Sequence, residues 1–305
     1  MRINATSMLN IRILKSACCL VISALAVMLL CTHSSGSAKV RSGTYEGNTR
    51  WYYDTRTKTV TIDCKGRMED GDQHGVSMGW HRNEWYLKVE SVVFKKGITY
   101  VGVGTFDNFR KVKEVVLPEG LVSIGYSAFG ATSKLKKIHF PSSLKRIGGN
   151  AFVDSGIESV SLKHVEKVGS GAFSGTKLRH VTIPAGTSFG SYAFSGCDDL
   201  KSVRIEEGVK LISRSMFSRS GLRRVIIPAS VTEIGEHAFF AFSPEEGKLK
   251  KVTIHSTKIK KWGKGIFGKA RKDLVIRVPK SKKKAYTKAL RRGGLPEYVK
   301  IVELI

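Results

Sequence analysis

Apolar residues return along this chain in a fixed phrase. Val115–Phe129 reads VVLPEGLVSIGYSAF, and Val225–Phe239 reads VIIPASVTEIGEHAF. Aligned on its last residue, the phrase gives Phe106, Phe129, Phe152, Phe173, Phe194, Phe217, Phe239 and Phe267, at spacings of 23, 23, 21, 21, 23, 22 and 28. Upstream of each one after the first stands a triplet of the form L-x-x-V-x-I. The instances are Val112/Val115/Leu117, Leu135/Ile138/Phe140, Ile157/Val160/Leu162, Leu178/Val181/Ile183, Leu200/Val203/Ile205, Leu222/Val225/Ile227 and Leu249/Val252/Ile254. Alternation at V-x-I turns two side chains inward from one short strand. Pro118, Pro141, Pro184 and Pro228 end that strand, because proline has no N–H for the next rung. Gly125, Gly148, Gly169 and Gly235 follow, where permissive backbone predicts a turn. Ala-Phe then closes the coil over the core. A unit of about 22 residues cannot bury its apolar side alone, whereas stacked units can.

The flanks predict caps, without which the terminal coils expose core and sheet edge. Trp51–Asp54 and Thr59–Ile62 read as two strands of a hairpin. Near the other end, Ser281 is placed to cap a helix whose Tyr286, Ala289 and Leu290 form one apolar stripe. Gly293 and Gly294 stop that helix, and Val299 and Ile301 predict a final strand.

Ile-Gly-x-x-Ala-Phe, with Ile-Pro or Leu-Pro upstream and Gly196-Cys197 after Ala193-Phe194, resembles the BspA-like (Treponema-type) leucine-rich repeats of bacterial surface and secreted proteins. The resemblance covers about residues 45–305. It implies a β-rich repeat solenoid: a right-handed leucine-rich-repeat superhelix of about seven to eight coils, with a β N-terminal cap and a short C-terminal capping helix. Gly66-Arg67-Met68, Trp80 and Trp85 resemble the cap that precedes such repeats. Phe189-Gly190 in place of Ile-Gly, and Met216-Phe217 and Ile266-Phe267 in place of Ala-Phe, depart from the pattern and bear on local curvature. The expected division is a signal peptide at 1–38, a β cap at 39–90, repeats at 91–273 and a basic cap at 274–305. Similar proteins act in adhesion, so the resemblance implies a binding protein rather than an enzyme, with no cofactor.

The first residues change the setting. Arg2, Arg12 and Lys15 accompany the apolar run Ala17–Leu30, and small residues ending at Ala38 follow, the pattern of a secretory signal. The run falls short of the roughly 20 residues of a membrane span. No later stretch is long enough either, so the expectation is a secreted or cell-surface protein without a transmembrane anchor. The alternative, lipid attachment at Cys31, meets Leu29-Leu30 where a small residue is usual. Beyond residue 38 only Cys64 and Cys197 remain, too few for a disulfide scaffold. Lying several coils apart, they are expected to be free thiols.

Candidate chemistry is thin. Glu69, Asp70 and Asp72 around Gly71, with His74 and His81, form the best cluster of metal-ligand types. It lacks calcium-loop spacing, so a polar hairpin loop is the simpler reading and a hydrolase built on residues 69–81 the rival one. Gly102-Val103-Gly104 lacks the third glycine of a nucleotide fingerprint and reads as the first, degenerate coil turn. The histidines have no zinc-protease spacing. Cys197 sits at a packing position.

Charge is more informative. The chain holds 52 Lys and Arg against 25 Asp and Glu, a formal +27. The two x positions opening each triplet strand are the pairs Lys113/Glu114, Lys136/Lys137, Glu158/Ser159, Arg179/His180, Lys201/Ser202, Arg223/Arg224 and Lys250/Lys251. Nine of those fourteen positions are Lys or Arg, more than three times the background, and His139 and Arg204 lie one step further on the same face. With strands about 4.8 Å apart, they predict a cationic stripe roughly 30 Å long, whose charges repel one another. Residues 248–305 add 19 basic against three acidic residues. The expected partners are anionic polymers of the cell envelope or host glycans, or surface proteins. Nothing here reads nucleic-acid bases. A wall protein held by charge alone, without a host partner, is a further rival.

Overall fold

A computed structural model describes residues 39–45, 48–70 and 84–304. The expected signal sequence, Trp80, and the Gly71, Asp72, His74 and His81 part of the acidic cluster lie outside the described residues.

From Val40 to Ile305 the chain forms one compact unit, and each coil in it has three sides. On the first side, triplet strands pair in parallel: Thr59–Asp63 with Ser91–Phe94 and Glu114–Val116, and His180–Ile183 with Ser202–Ile205. Arg224–Ile227, Lys251–Ile254, Val275–Val278 and Lys300–Glu303 continue the same column. Between the two runs a Lys137–Ser159 bridge keeps the register. Alternation sets the burial: Val181, Ile183, Val225, Ile227, Val252 and Ile254 point into the core. The short Ile-Gly strands form a second parallel side, from Gly66–Arg67 to Lys261–Trp262. The stack runs to about nine turns, because Thr59–Asp63 of the N-terminal sheet and Lys300–Glu303 beyond the helix join the same column.

The third side is the Ala-Phe turn. Its eight phenylalanines form one continuous ladder, with successive ring centroids 5.4–5.9 Å apart and planes within 15° of parallel. At that separation the rings stack with an offset, the arrangement their quadrupoles favour. The backbone beside the rings is bonded in one direction. The N–H of Phe106 donates to Ala128 O, Phe129 to Ala151, Phe152 to Ala172, Phe173 to Ala193, Phe194 to Met216, Phe217 to Ala238 and Phe239 to Ile266, all at 2.8–3.0 Å. The turn is made by residues with positive φ two places before and after the ring, such as Asn150 and Asp154 around Phe152.

That placement corrects the reason for the recurrence of glycine at Gly125, Gly148, Gly169 and Gly235. None of the four has a positive φ. They are glycine because coils touch there: a Cβ on Gly148 would lie 2.5 Å from the carbonyl carbon of Gly125, and one on Gly169 2.4 Å from the nitrogen of Gly149. The demand is for close approach, with the turn supplied by other residues.

At the N-terminal end, Val40–Tyr45, Thr49–Asp54 and Thr59–Asp63 pair antiparallel before the parallel column begins. Trp85, from the 3-10 turn Glu84–Lys88, stacks with both Trp51 and Tyr53, at 5.1 and 4.7 Å. At the other end the helix spans Lys283–Arg292 and buries Tyr286 and Leu290, while Gly293 closes it. Ser281 does not cap it. Ser281 belongs to a 3-10 turn, Lys280–Lys282, that runs into the helix, and Lys282 stands at the N-cap without a side-chain bond. Packing of Tyr286 and Leu290 replaces capping as the source of the helix's stability.

Candidate anion-binding face

All twelve residues expected on the outer face are exposed: Lys113, Lys136, Lys137, His139, Arg179, His180, Lys201, Arg204, Arg223, Arg224, Lys250 and Lys251. The triplet strands place them. Arg224 and Lys251 are register partners, and Arg204 pairs with Thr182 across the same ladder. Lys136, Glu158, Arg179 and Lys201 belong to successive coils joined by backbone hydrogen bonds.

The expectation that these charges simply repel is wrong for half the face. Glu158 lies between Lys136 and Arg179 and pairs with both, at 3.3 and 3.5 Å. Glu90 does the same one coil before Lys113, taking Lys58 and Lys113 at 2.6 Å each. Hydrogen bonds from Lys113 and then Lys58 pull the Glu90 carboxyl down to about 2, so it stays ionised at any ordinary pH. Glu90 and Glu158 therefore each neutralise a base on either side, whereas Glu114 makes no ion pair among the described residues. Glu90 escaped the count of strand positions because its coil precedes the first complete triplet.

Toward the C-terminal end no such acid stands between the bases. Lys201, Arg204, Arg223, Arg224 and Lys251 make no ion pair among the described residues, and in the N-terminal half neither does Lys137. Lys250 reaches Asp273 only at 3.9 Å, and Asp273 is held by Arg271 through both carboxylate oxygens. His180 shares a 2.7 Å hydrogen bond with Ser202. The face also extends further than the triplets indicated. Arg277 and Lys300 lie on strands paired with Lys251–Ile254 and with each other, and the Nε of Arg277 is buried without a hydrogen-bond partner. Val275–Val278 repeats the V-x-I alternation, a signal that its place beyond the last phenylalanine obscured.

The other candidates hold structure together. Asp70 accepts from Tyr100 Oη at 2.6 Å, Arg67 Nη2 at 2.8 Å and the Val103 N–H at 3.0 Å. Among the described residues no group of three or more His, Cys, Asp or Glu could hold a metal ion. Cys64 and Cys197 are free and buried. Burial pushes the Cys197 thiol up to about 11, and the thiol donates to Phe173 O at 3.1 Å, the state of a packed residue and not of a nucleophile. No helix among the described residues is long and apolar enough to cross a membrane.

A three-sided parallel coil with a phenylalanine ladder and an outward strand face defines a leucine-rich-repeat solenoid. The chain belongs to the BspA type leucine rich repeat family, whose pattern matches in six copies over residues 84–188 and 186–293. It is similar to the crystal structure of a leucine-rich repeat protein from Eubacterium ventriosum, with 16% identity and a TM-score of 0.60 over 87% of this chain and 68% of that one. A leucine rich cell surface protein from Faecalibacterium prausnitzii is 17% identical, with a TM-score of 0.40 over 80% of this chain and 77% of that one. A T. pallidum leucine rich repeat protein is 20% identical, with a TM-score of 0.36 over 84% and 99%. No curated protein matches the chain.

Proposed function

We propose that this is an exported, non-enzymatic binding protein of the bacterial surface, and that its strand face holds anionic polymers of the cell envelope or of host glycans. One observation supports the reading: the cations Lys201, Arg204, Arg223, Arg224 and Lys251 sit on successive coils and have no ion-pair partner among the described residues. Unpaired like charges at strand spacing of about 4.8 Å raise one another's energy. A polymer with regularly spaced anions relieves that cost and releases its own counterions, so binding weakens as salt rises.

The test is affinity for teichoic acid and for heparin across a salt series. Changing Lys201, Arg223, Arg224 and Lys251 together to Ser is expected to reduce affinity at least tenfold and to flatten the salt dependence. The control replaces Lys282, Lys283 and Lys284, in the basic terminal block. Loss in the control alone would favour a protein held by its terminal charge. Salt-insensitive binding in both would end the electrostatic reading. Comparing purified wall polymer with host glycan separates an adhesin from a wall-bound protein without a host partner.

A further inference from the structure

The strand face is not the only cationic feature. A cleft of about 440 Å³ opens beside the N-terminal sheet, lined by Arg41, Lys58, Lys88, Lys111, Glu90 and the edges of the Tyr53/Trp85 stack. Its four bases come from four separate places: the outer antiparallel strand, the turn after Asp54, the last residue of the 3-10 turn and the loop before Val112. Local sequence therefore does not bring them together; the fold does. We propose that this cleft is a second and separate site, which takes a small phosphate or sulfate ester of about mono- or disaccharide size.

Three features give the ligand its class. Charge comes first. Arg41, Lys88 and Lys111 have no ion-pair partner among the described residues, and the one carboxylate in the cleft, Glu90, is consumed by Lys58 and Lys113 at 2.6 Å each. The cleft is thus left with three uncompensated cations. Arg41 stands opposite Tyr53 across the outer strand pair, and Lys58 lines the same cleft. A single carboxylate would answer one of the three, whereas a tetrahedral oxyanion offers several acceptor oxygens to donors arriving from different directions. Size is the second feature. The volume falls within the roughly 300–1,000 Å³ of small-molecule sites and exceeds what a bare ion fills. Aromatic geometry is the third. The two rings that line the cleft, Tyr53 and Trp85, are stacked on one another and buried, so neither presents an open face to a sugar. Recognition must then rest on the charged group, with the sugar body filling space above it. A neutral sugar should not bind.

The site does not depend on the polymer reading, because Arg41, Lys88 and Lys111 lie outside the strand-face set. The test is calorimetric titration of the purified protein with glucose 6-phosphate, glucose 6-sulfate, glucose and inorganic phosphate. Saturable 1:1 binding of at least one ester is expected, with none for glucose and at least tenfold weaker binding of inorganic phosphate. The two esters separate a phosphate source from a sulfate source. Lys88→Ser with Lys111→Ser should weaken ester binding at least tenfold at an unchanged melting temperature, since both side chains are exposed. The milder Lys88→Gln alone should weaken it in the same direction. The four-residue strand-face variant should bind the esters like the parent. No saturable binding of either ester, or equal affinity in the cleft variants, would overturn the proposal. Loss of ester binding in the strand-face variant would overturn its separateness.

Discussion

Phe152 and Lys137 belong to the same coil and face opposite ways. The Phe152 ring is fully buried, stacked on Phe129 at 5.5 Å and Phe173 at 5.4 Å and touching Phe140 at 5.7 Å. Removing it empties a site shared by three coils. Phe152→Ala is expected to cost about 3–5 kcal/mol in chemical denaturation. Lys137 is exposed and unpaired, so Lys137→Ala should change stability by no more than about 0.5 kcal/mol. Equal shifts in the two variants would mean that the inward and outward assignment of the strand is mistaken. The same pair shows why the core was legible in the sequence. A residue type that returns eight times at near-constant spacing announces its environment without any contact being seen. Gly148 was legible in position but not in cause. Its constraint comes from the backbone of Gly125, 23 residues away, and a local reading could offer only turn flexibility.

Among the elements, the C-terminal helix departs most from its sequence signal. Ser281 stands where a cap would, yet the chain tightens through Lys280–Lys282 first, and tertiary contacts hold the helix. Tyr286 is the anchor. Its hydroxyl donates to Ser256 O and accepts the Ile259 N–H, each at 3.1 Å, and its ring meets Trp262 edge-on at 4.8 Å. Tyr286→Phe keeps the ring and strips the buried N–H of Ile259 of its acceptor. A loss of about 1–3 kcal/mol is expected in thermal or urea melts. A neutral result would show that the helix docks through ring packing alone. These contacts were hidden because they join residues 27 and 30 positions apart in a stretch where the repeat length has lengthened. The candidate face was legible in the same uneven way. The bases were visible as strand positions, but the two acids that quiet its N-terminal half show their effect only when successive coils are laid side by side.

At the scale of the molecule, residues 39–305 carry 49 Lys and Arg against 25 Asp and Glu, a formal +24 spread over the stack of coils. That figure already counts every acid, and several of those acids are locked between neighbouring bases. Net charge of that size opposes compaction by self-repulsion. Raising sodium chloride from about 0.02 M to about 0.3 M shortens the screening distance well below the length of the stripe. The melting temperature is therefore expected to rise with salt while polyanion affinity falls, two opposite trends from one cause. A scanning-calorimetry series in chloride checks the first. A melting temperature that stays flat or drops would mean that the bases are more fully compensated than the ion pairs indicate.

The one-way hydrogen bonding along the phenylalanine side bears on how such a chain changes over generations. Every coil offers N–H groups forward and carbonyls backward at matching heights, so any coil can follow any other. A slip in copying that duplicates or deletes one whole unit leaves each new junction as well made as the old. A slip of half a unit would set donors against donors. Copy number is thus the variable that inheritance can alter freely, and with it the reach of whatever face the coils display. The last coil is the exception. The forward N–H of Gly265 finds its acceptor in Gly293, beyond the helix, and that arrangement occurs once. Lineages can lengthen or shorten the middle of this protein; the terminus must be carried along unchanged.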